Sequence, residues 1–481
     1  MKNVIDNSVT SKSPCRGDLG GLSILMVRPK PSPETIGLQH VMIVEPLELE
    51  ILSALKRDSD TVVIVDLIIE KKPFEFFLEK HKPDIFCITG YITNVSTIIS
   101  YCKTAKSFNN RITNIVGGVH CEVCPEDFED EAIDFRAVRN AAVTFTGLLN
   151  HIEFKTELPK GIFKKGDSFE NTTLPAFDFR VPFPDRNSVS QYRDKYFYIF
   201  HDKVALLKTS FGCPYLCSFC FCRIITNKLY YQRPLDEVIE ELLQIKETEI
   251  YIVDDDFLVD KKWLMEFIEA IKKNNIQKHY LVYSRADFIA ENPEIMHDLA
   301  EIGLRTVIVG FESFSDKELD KYNKKTSVAM YKQTMAVLHR EKIEVFATII
   351  IPPEWDKSDF KNMVKVVKEL GIHYVNLQPL TPLPKTGVSF PDNRIIIKKT
   401  DYEKWDLAHV TVQPEKLTVP EFYREILKAY NAILFTPKVM WMYLRTYRPV
   451  MLFKMLLGAN RVGMQYKQKI RESTSPPAPS P

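Results

Sequence analysis

Residues 208–220 read Lys208-Thr-Ser-Phe-Gly-Cys213-Pro-Tyr-Leu-Cys217-Ser-Phe-Cys220 and follow directly on the apolar run Val204 to Leu207. The Cys-x3-Cys-x2-Cys spacing delivers three thiols from one glycine-containing loop at the end of a strand. Soft sulfur donors favour iron and zinc over hard cations. Cys222 is one residue too near Cys220 to join the same face easily, so three irons of a cubane are held and the fourth is left open. A structural zinc site competes with this reading, although such sites usually show two separated cysteine pairs. Chance clustering of reduced core cysteines is the third reading.

Working outward, residues 201–390 alternate apolar runs with helix-period segments. The runs are VALLKTS, EIYIVDD, YLVYS, RTVIVGFE, EVFATIII and HYVNLQP. Helices are expected near 235–247, 261–273, 293–303, 328–342 and 357–370, with a short one at 315–321. Six strand–helix units are two short of a closed eightfold barrel, so an open-sided partial barrel fits. Polar groups stand where its strands end: Asp254, Asp255 and Asp256, then Ser284 and Arg285, then Glu312 with Ser313, and Gln378 ahead of Thr381-Pro-Leu-Pro384. The catalytic face of such a barrel is the carboxyl end of its strands, where these residues share a cavity with the cysteine loop. Taken singly, each is equally readable as an ordinary strand-end cap.

Residues 21–151 alternate in the same way. LSILMV, TVVIVDL, DIFCITG and TNIVGGV are strand-like, which predicts a flavodoxin-like parallel sheet with helices on both faces. Its ligand face is again the carboxyl end of the strands. There lie Arg28-Pro29, Asp66, Thr89-Gly90-Tyr91 and Gly117-Gly118-Val119-His120. Gly117-Gly118 is readable as a tight turn or as backbone brought close to a large flat ligand. Residues 152–200 form a Pro- and aromatic-rich connector. Residues 391–471 form a mainly helical third domain. Its segment 421–471 carries ten Lys/Arg against two acids, interleaved with aromatics such as Trp441, Tyr443 and Phe453. A helical cap on the barrel is one reading of it; a peripheral membrane or lipid-contacting face is the other. Residues 1–20 and 472–481 read as a disordered leader and tail.

The 481 residues match about three domains. With 45% hydrophobic and 26% charged residues the composition is globular. A net charge of +1 gives no overall basic field, so no nucleic-acid partner is expected. No apolar run reaches the ~18–20 residues of a spanning helix, and the polar start is no secretion signal. Nine cysteines, sparse and unevenly spaced, point to a reduced, cytoplasmic setting.

The cysteine loop, with Phe219 as the aromatic before Cys220, resembles the signature of the radical S-adenosylmethionine superfamily. That resemblance implies a 4Fe-4S cluster on Cys213, Cys217 and Cys220 whose open iron chelates S-adenosylmethionine and cleaves it to a 5′-deoxyadenosyl radical. It implies Asp254 to Asp256 near the methionyl amine, Arg285 at the carboxylate and Glu312 on the ribose side, with Ser284 and Gln378 in the same cavity. A flavodoxin-like sheet ahead of such a barrel is similar to a cobalamin-binding domain. The base-off signature Asp-x-His-x-x-Gly is absent, but Gly-Gly-x-His at 117–120 is common in cobalamin-dependent radical enzymes, whose histidine is not generally the cobalt ligand. Cobalamin is therefore expected at Thr89, Gly90, Tyr91, Gly117, Gly118 and His120.

Together these features resemble the class B cobalamin-dependent radical methyltransferases, which methylate unactivated carbons. Pro31 to Glu48, Thr89 to Thr93, Ile252 to Leu258, Arg285-Ala-Asp287-Phe-Ile and Val309 to Phe314 narrow the resemblance to the hopanoid C-3 methylases. It covers roughly residues 22–390 and implies an apolar polycyclic lipid substrate and an external electron donor such as flavodoxin or ferredoxin. An anaerobic oxidative cyclase acting on a porphyrin-type ester shares every cofactor motif. A non-catalytic electron carrier would need four protein ligands to its cluster. A methylthiotransferase would need a second cysteine trio, whereas Cys121 and Cys124 are only a pair.

Overall fold

A computed structural model of the chain describes residues 21–169 and 172–474. The expected leader and residues 475–481 of the expected tail lie outside the described residues. Glu472 closes the last helix, and Ser473 and Thr474 continue its final turn.

The N-terminal sheet contains the four expected parallel strands, β1 (Ser23–Arg28), β2 (Thr61–Asp66), β3 (Ile85–Thr89) and β4 (Thr113–Gly117). Two more complete it: β5 (Phe135–Ala137) and an antiparallel edge, β6 (Ile162–Lys164). Helices α1 (Leu47–Ala54), α2 (Phe74–His81), α3 (Val95–Phe108), α4 (Val119–Val123) and α5 (Ala141–Phe154) alternate with the strands. Leu25 and Val27 pack with Phe77 and Ile98 on one face, while Ile24 and Met26 pack with Leu49 and Leu148 on the other. Burial on both faces is why β1 reads as an unbroken apolar run. The order β2-β1-β3-β4-β5-β6 reverses beside β1, which leaves a crevice at the carboxyl ends of β1 and β3. β6 falls inside the stretch read as connector. The Pro-rich sequence hides it, because a three-residue edge strand has no periodicity to show.

The second sheet has all six strands where the apolar runs place them: β7 (Val204–Leu207), β8 (Glu249–Ile252), β9 (His279–Arg285), β10 (Leu304–Glu312), β11 (Glu344–Ile351) and β12 (Tyr374–Pro379). They pair in chain order and all in parallel. Helices α6 (Leu235–Gln244), α7 (Lys261–Lys273), α8 (Pro293–Glu301), α9 (Val328–Arg340) and α10 (Lys357–Glu369) coat its outer face. Ala205, Leu207, Ile250, Ile252, Val307 and Val309 face these helices, whereas Leu206, Tyr251, Leu281 and Ile308 turn inward. On α7 the 3.6-residue period buries Trp263, Leu264, Phe267, Ile268 and Ile271. Asp260 caps that helix by accepting from the amides of Lys262 and Trp263, worth about 1 kcal/mol.

The open side of the partial barrel is closed by the third region. Its helices are α11 (Val419–Leu434), α12 (Pro437–Thr446) and α13 (Pro449–Glu472). Residues 391–418, expected to be mainly helical, hold only two single turns and an isolated bridge between Ile395 and Val412. The Tyr430 hydroxyl of α11 accepts from the Leu377 amide at 2.9 Å, so the free edge of β12 is covered. Between the halves, buried Glu45 accepts from Arg186 at 2.8 Å, Arg193 at 2.7 Å and the Leu206 amide at 2.5 Å. The connector is thereby tied to the first barrel strand. Among the described residues no helix is long and apolar enough to cross a membrane.

Candidate active site

The cysteine loop leaves β7 and is pinched into a hairpin by Ser210–Phe211 pairing with Tyr231–Gln232. Gly212 turns the chain toward Cys213 with φ of +74°, where a Cβ would stand 2.0 Å from the Leu229 carbonyl oxygen; no other residue fits. Three further bonds fasten the loop. The Ser218 amide donates to the Tyr322 carbonyl at 2.9 Å, the Gly387 amide donates to the Ser218 carbonyl at 2.8 Å, and the Asn323 side chain donates to the Leu216 carbonyl at 2.8 Å. Cys217 is buried, while Cys213 and Cys220 are half-buried and open to the strand ends. Phe219 packs edge-on to Tyr322, with ring centres 5.7 Å apart.

Charges of both signs gather beside these thiols. Arg285 forks onto Asp287 at 2.6 Å, donates to the Lys324 carbonyl at 2.5 Å, and brings a guanidinium nitrogen to 3.8 Å from Cys217 Sγ. Lys324, itself buried, pairs with Glu312 at 2.9 Å. Glu312 takes φ of +62° where the β10–β11 register slips, and this turns its carboxylate toward the lysine. Asp256 is buried, and its Oδ2 has no hydrogen-bond partner. Burial pushes its carboxyl up to about 8, against the opposing pull of Arg285 and Lys324. An unpaired carboxylate oxygen beside two cations suits a zwitterionic amino acid, whose ammonium would supply the missing donor.

Asp254 departs from its expected place near the methionyl amine. Its carboxylate accepts from the amides of Thr209 and Ser210 at 2.7 and 3.0 Å and from both their hydroxyls. That commits Asp254 to anchoring the cysteine loop. Asp255 is half-buried and hydrogen-bonds the Cys222 thiol, which in turn bonds Cys220 and holds the Cys220 thiol below its ordinary range. Ser284 is buried and donates to the Arg285 carbonyl at 3.2 Å. Gln378 is half-buried in register with Ile350.

Across from the loop stand the strand ends of the N-terminal sheet. Gly118, at φ of +94°, approaches so closely that a Cβ there would lie 2.3 Å from Thr89 Oγ1 and 3.0 Å from the Gly90 amide. Thr89, Gly90, Gly117 and Gly118 thus form one backbone ledge without protruding side chains. Tyr91 projects from it into the gap, within electrostatic reach of Glu48, Cys222 and Tyr283. Tyr91 is 59% exposed there. A flat backbone ledge facing a cluster loop is the shape a corrin between the two would require. The His120 imidazole, expected at the corrin, turns away: it is buried, bonds Asp127 at 2.7 Å and meets Phe128 edge-on. Lys385 fixes the facing halves together through the Val123 carbonyl and Glu126.

Comparison with known proteins agrees with this geometry. Residues 207–367 match the radical SAM superfamily, and residues 35–149 match the B12 binding domain. The chain is a cobalamin-dependent radical S-adenosylmethionine enzyme. It is 27% identical over 86% of its length to the hopanoid C-3 methylase of Methylococcus capsulatus, covering 80% of that protein. It is 23% identical over 75% of its length to the anaerobic magnesium-protoporphyrin IX monomethyl ester cyclase of Synechocystis, covering 74% of that protein. Its fold is that of the radical methyltransferase TsrM from Kitasatospora setae, solved with cobalamin and a [4Fe-4S] cluster bound, at TM-score 0.65 and 14% identity over 94% of this chain and 99% of that one. It is equally that of the cobalamin-dependent radical enzyme OxsB, solved with aqua-cobalamin and S-adenosylmethionine, at TM-score 0.67 and 15% identity over 90% of this chain and 72% of that one.

The enzyme uses a 4Fe-4S cluster, S-adenosylmethionine and cobalamin, and requires an external reductant. Sequence reading missed Lys324, Tyr215, Tyr283 and Glu48 at this site. Lys324 lies between two residues of positive φ, Asn323 and Lys325, in an irregular loop that no periodicity marks. Tyr283 was hidden inside an apolar strand run, though inward-facing tyrosines at alternate positions were a usable sign.

Proposed function

We propose that this enzyme methylates an unactivated carbon of an apolar polycyclic lipid, with the C-3 carbon of a hopanoid as the leading candidate. The observation that carries the substrate reading is an apolar cavity of about 180 Å³ in the flank of the barrel. Phe346 and Tyr374 of the barrel, Leu427 and Leu434 of α11, and Leu456, Ala459 and Val462 of α13 wall it. A cavity of this size holds about one hydrocarbon ring. It is level with Asn376, two residues short of Gln378, or about 7 Å below the strand ends. On this reading a rigid polycycle rests a distal ring in the flank and extends toward the gap between the ledge and the cysteine loop.

When bound, the cluster with S-adenosylmethionine supplies hydrogen-atom abstraction and cobalamin supplies the methyl group. The chain's own residues do the placing. Cys213, Cys217 and Cys220 hold the cluster. Asp256, Arg285 and Glu312 with Lys324 hold the zwitterion and ribose, and Ser284, Asp255 and Gln378 line the same mouth. Gly90, Gly117 and Gly118, with Thr89 and Tyr91, accept the corrin face. Tyr283, bonded by the hydroxyls of Tyr198 and Tyr251, faces the gap and helps exclude water. The exposed Trp441, Leu444, Val450 and Phe453, among Arg445, Arg448 and Lys454, suit peripheral contact with an anionic lipid surface at the cytoplasmic face of a membrane.

Oxidative cyclisation of a porphyrin-type ester is the second reading, favoured by similarity to the cyclases. Anaerobic reconstitution with iron, sulfide and cobalamin, then reaction with deuteromethyl S-adenosylmethionine and a hopanoid extract, separates the two. Labelled methyl in the lipid together with 5′-deoxyadenosine supports methylation. Hydrogen loss or oxygen gain in a porphyrin ester without label supports the cyclase.

A further inference from the structure

A second cluster of metal-ligating side chains lies outside this site. The end of α4 and the following turn, Pro125–Phe128, bring together His120 Nε2, Cys124 Sγ and an Asp127 carboxylate oxygen, all within 4.8 Å of one another. The arrangement is locally built. The Cys124 amide donates to the His120 carbonyl at 2.7 Å, so both side chains rise from one helical turn, and the next turn swings Asp127 to the same point. His120 and Cys124 are 4% and 3% exposed. Beyond the trio, the Tyr402 phenol hydrogen-bonds Asp127 and sets its ring edge-on to His120, with centres 6.4 Å apart.

We propose that His120, Cys124 and Asp127 bind one zinc ion. An imidazole nitrogen, a thiolate and a carboxylate are the donors that zinc takes, and three of them leave a fourth tetrahedral position for water. Tyr402 orients Asp127 as an outer partner of a metal ligand does. Lys385, the nearby cation, spends its charge on the Val123 carbonyl and on Glu126 at 3.4 Å. The site joins the helix that follows Gly118 to the turn Tyr402–Lys404, which packs against the N-terminal core beside α3. A bound ion there cross-links the end of α4 to the turn that follows it. This role is independent of the identity of the methylated substrate.

The test uses the full chain, reconstituted anaerobically with cluster and cobalamin, equilibrated with a slight molar excess of zinc sulfate and desalted. Elemental analysis should give about one zinc per chain, and zinc-edge X-ray absorption should give one sulfur near 2.3 Å with nitrogen and oxygen near 2.0–2.1 Å. In Cys124→Ser the sulfur contribution should vanish and zinc retention should fall about tenfold or more, with iron and cobalamin content unchanged. His120→Ala should lose zinc likewise. A shell of three sulfurs would put the ion in the Cys213 loop and overturn the proposal. So would a wild-type chain that retains no zinc, or retention indifferent to both substitutions. The wild-type spectrum decides even if a variant fails to fold.

Discussion

The guanidinium carbon of Arg285 stands 3.9 Å over the ring of Tyr215, two residues beyond the first cysteine of the loop. One side chain thus clamps the loop, faces Cys217 and bonds both Asp287 and the Lys324 carbonyl. A lysine has neither the planar fork nor the stacking face. Charge-assisted bonds of this kind contribute about 1.5–3 kcal/mol each. Arg285→Lys is therefore expected to assemble its cluster, judged by iron and sulfide content, but to bind S-adenosylmethionine about 10–100-fold more weakly. Unchanged affinity would remove Arg285 from the zwitterion site.

The ledge and the cysteine loop belong to different sheets with separate cores. Damage to one should leave the other standing. Cys217→Ala is expected to abolish 5′-deoxyadenosine formation while the visible absorption of bound cobalamin persists. Persisting cleavage in that variant would contradict the assignment of Cys217 as a cluster ligand.

Gly118 carries two separate constraints, its φ of +94° and its approach to Thr89. Gly118→Ala is expected to lower cobalamin content several-fold with the iron content unaltered. The positive-φ extended backbone, with ψ of 179°, costs a residue with a Cβ about 1–3 kcal/mol, and the Thr89 contact adds to it. Pairing it with Thr89→Ser, which keeps the hydroxyl, should rescue nothing, whereas pairing it with Thr89→Ala should restore part of the stability and little of the cobalamin. Full cobalamin loading of Gly118→Ala would show that the ledge is only a turn.

The barrel was legible because each of its strands is an apolar run flanked by helix-period segments; EVFATIII shows β11 on its face. β5 was not, since Arg136 sits in it fully buried, held by the carbonyls of Lys164 and Asp167 and by the Phe169 ring. A charged residue in a three-residue strand reads as a loop. At the site, the cysteine trio declares itself by spacing alone. Asp254 and Asp256 are indistinguishable in sequence, and only the hydroxyls of Thr209 and Ser210 decide which carboxylate is occupied. His120 was misread for the same reason: Gly-Gly-x-His says where the backbone turns, not that Asp127 waits for the imidazole.

Glu50 on α1 is buried, and neither carboxylate oxygen has a donor neighbour. Burial pushes its carboxyl up to about 10, with adjacent Glu45 adding to the effect, so the folded chain keeps a proton there that Glu50 can donate to Glu45. The unfolded chain loses that proton near pH 4.5. Stability therefore declines as pH rises from about 4.5 toward 10, by at most about 1.4 kcal/mol per pH unit. Glu50→Gln keeps the shape without the proton. Its melting temperature should exceed that of the wild type at pH 9 and converge with it near pH 5. A constant difference between the two curves would show that Glu50 is ionised in the fold.

The flank cavity yields the sharpest test of substrate class, because none of its walls is a residue assigned to a cofactor. Ala459 lies on α13, and a larger side chain there would project into the space that a distal ring is proposed to occupy. Ala459→Phe is expected to leave iron, cobalamin and uncoupled 5′-deoxyadenosine formation unchanged. For a full polycycle it should raise KM about tenfold or more, since losing burial of one ring costs about 1.5–3 kcal/mol. A truncated analogue lacking the distal rings should already bind poorly and show little further loss. Equal sensitivity of both substrates would mean that the phenylalanine distorts α13 against the barrel. Insensitivity of both would place the substrate elsewhere, and the apolar flank would then be packing left unfilled between α11, α13 and β12.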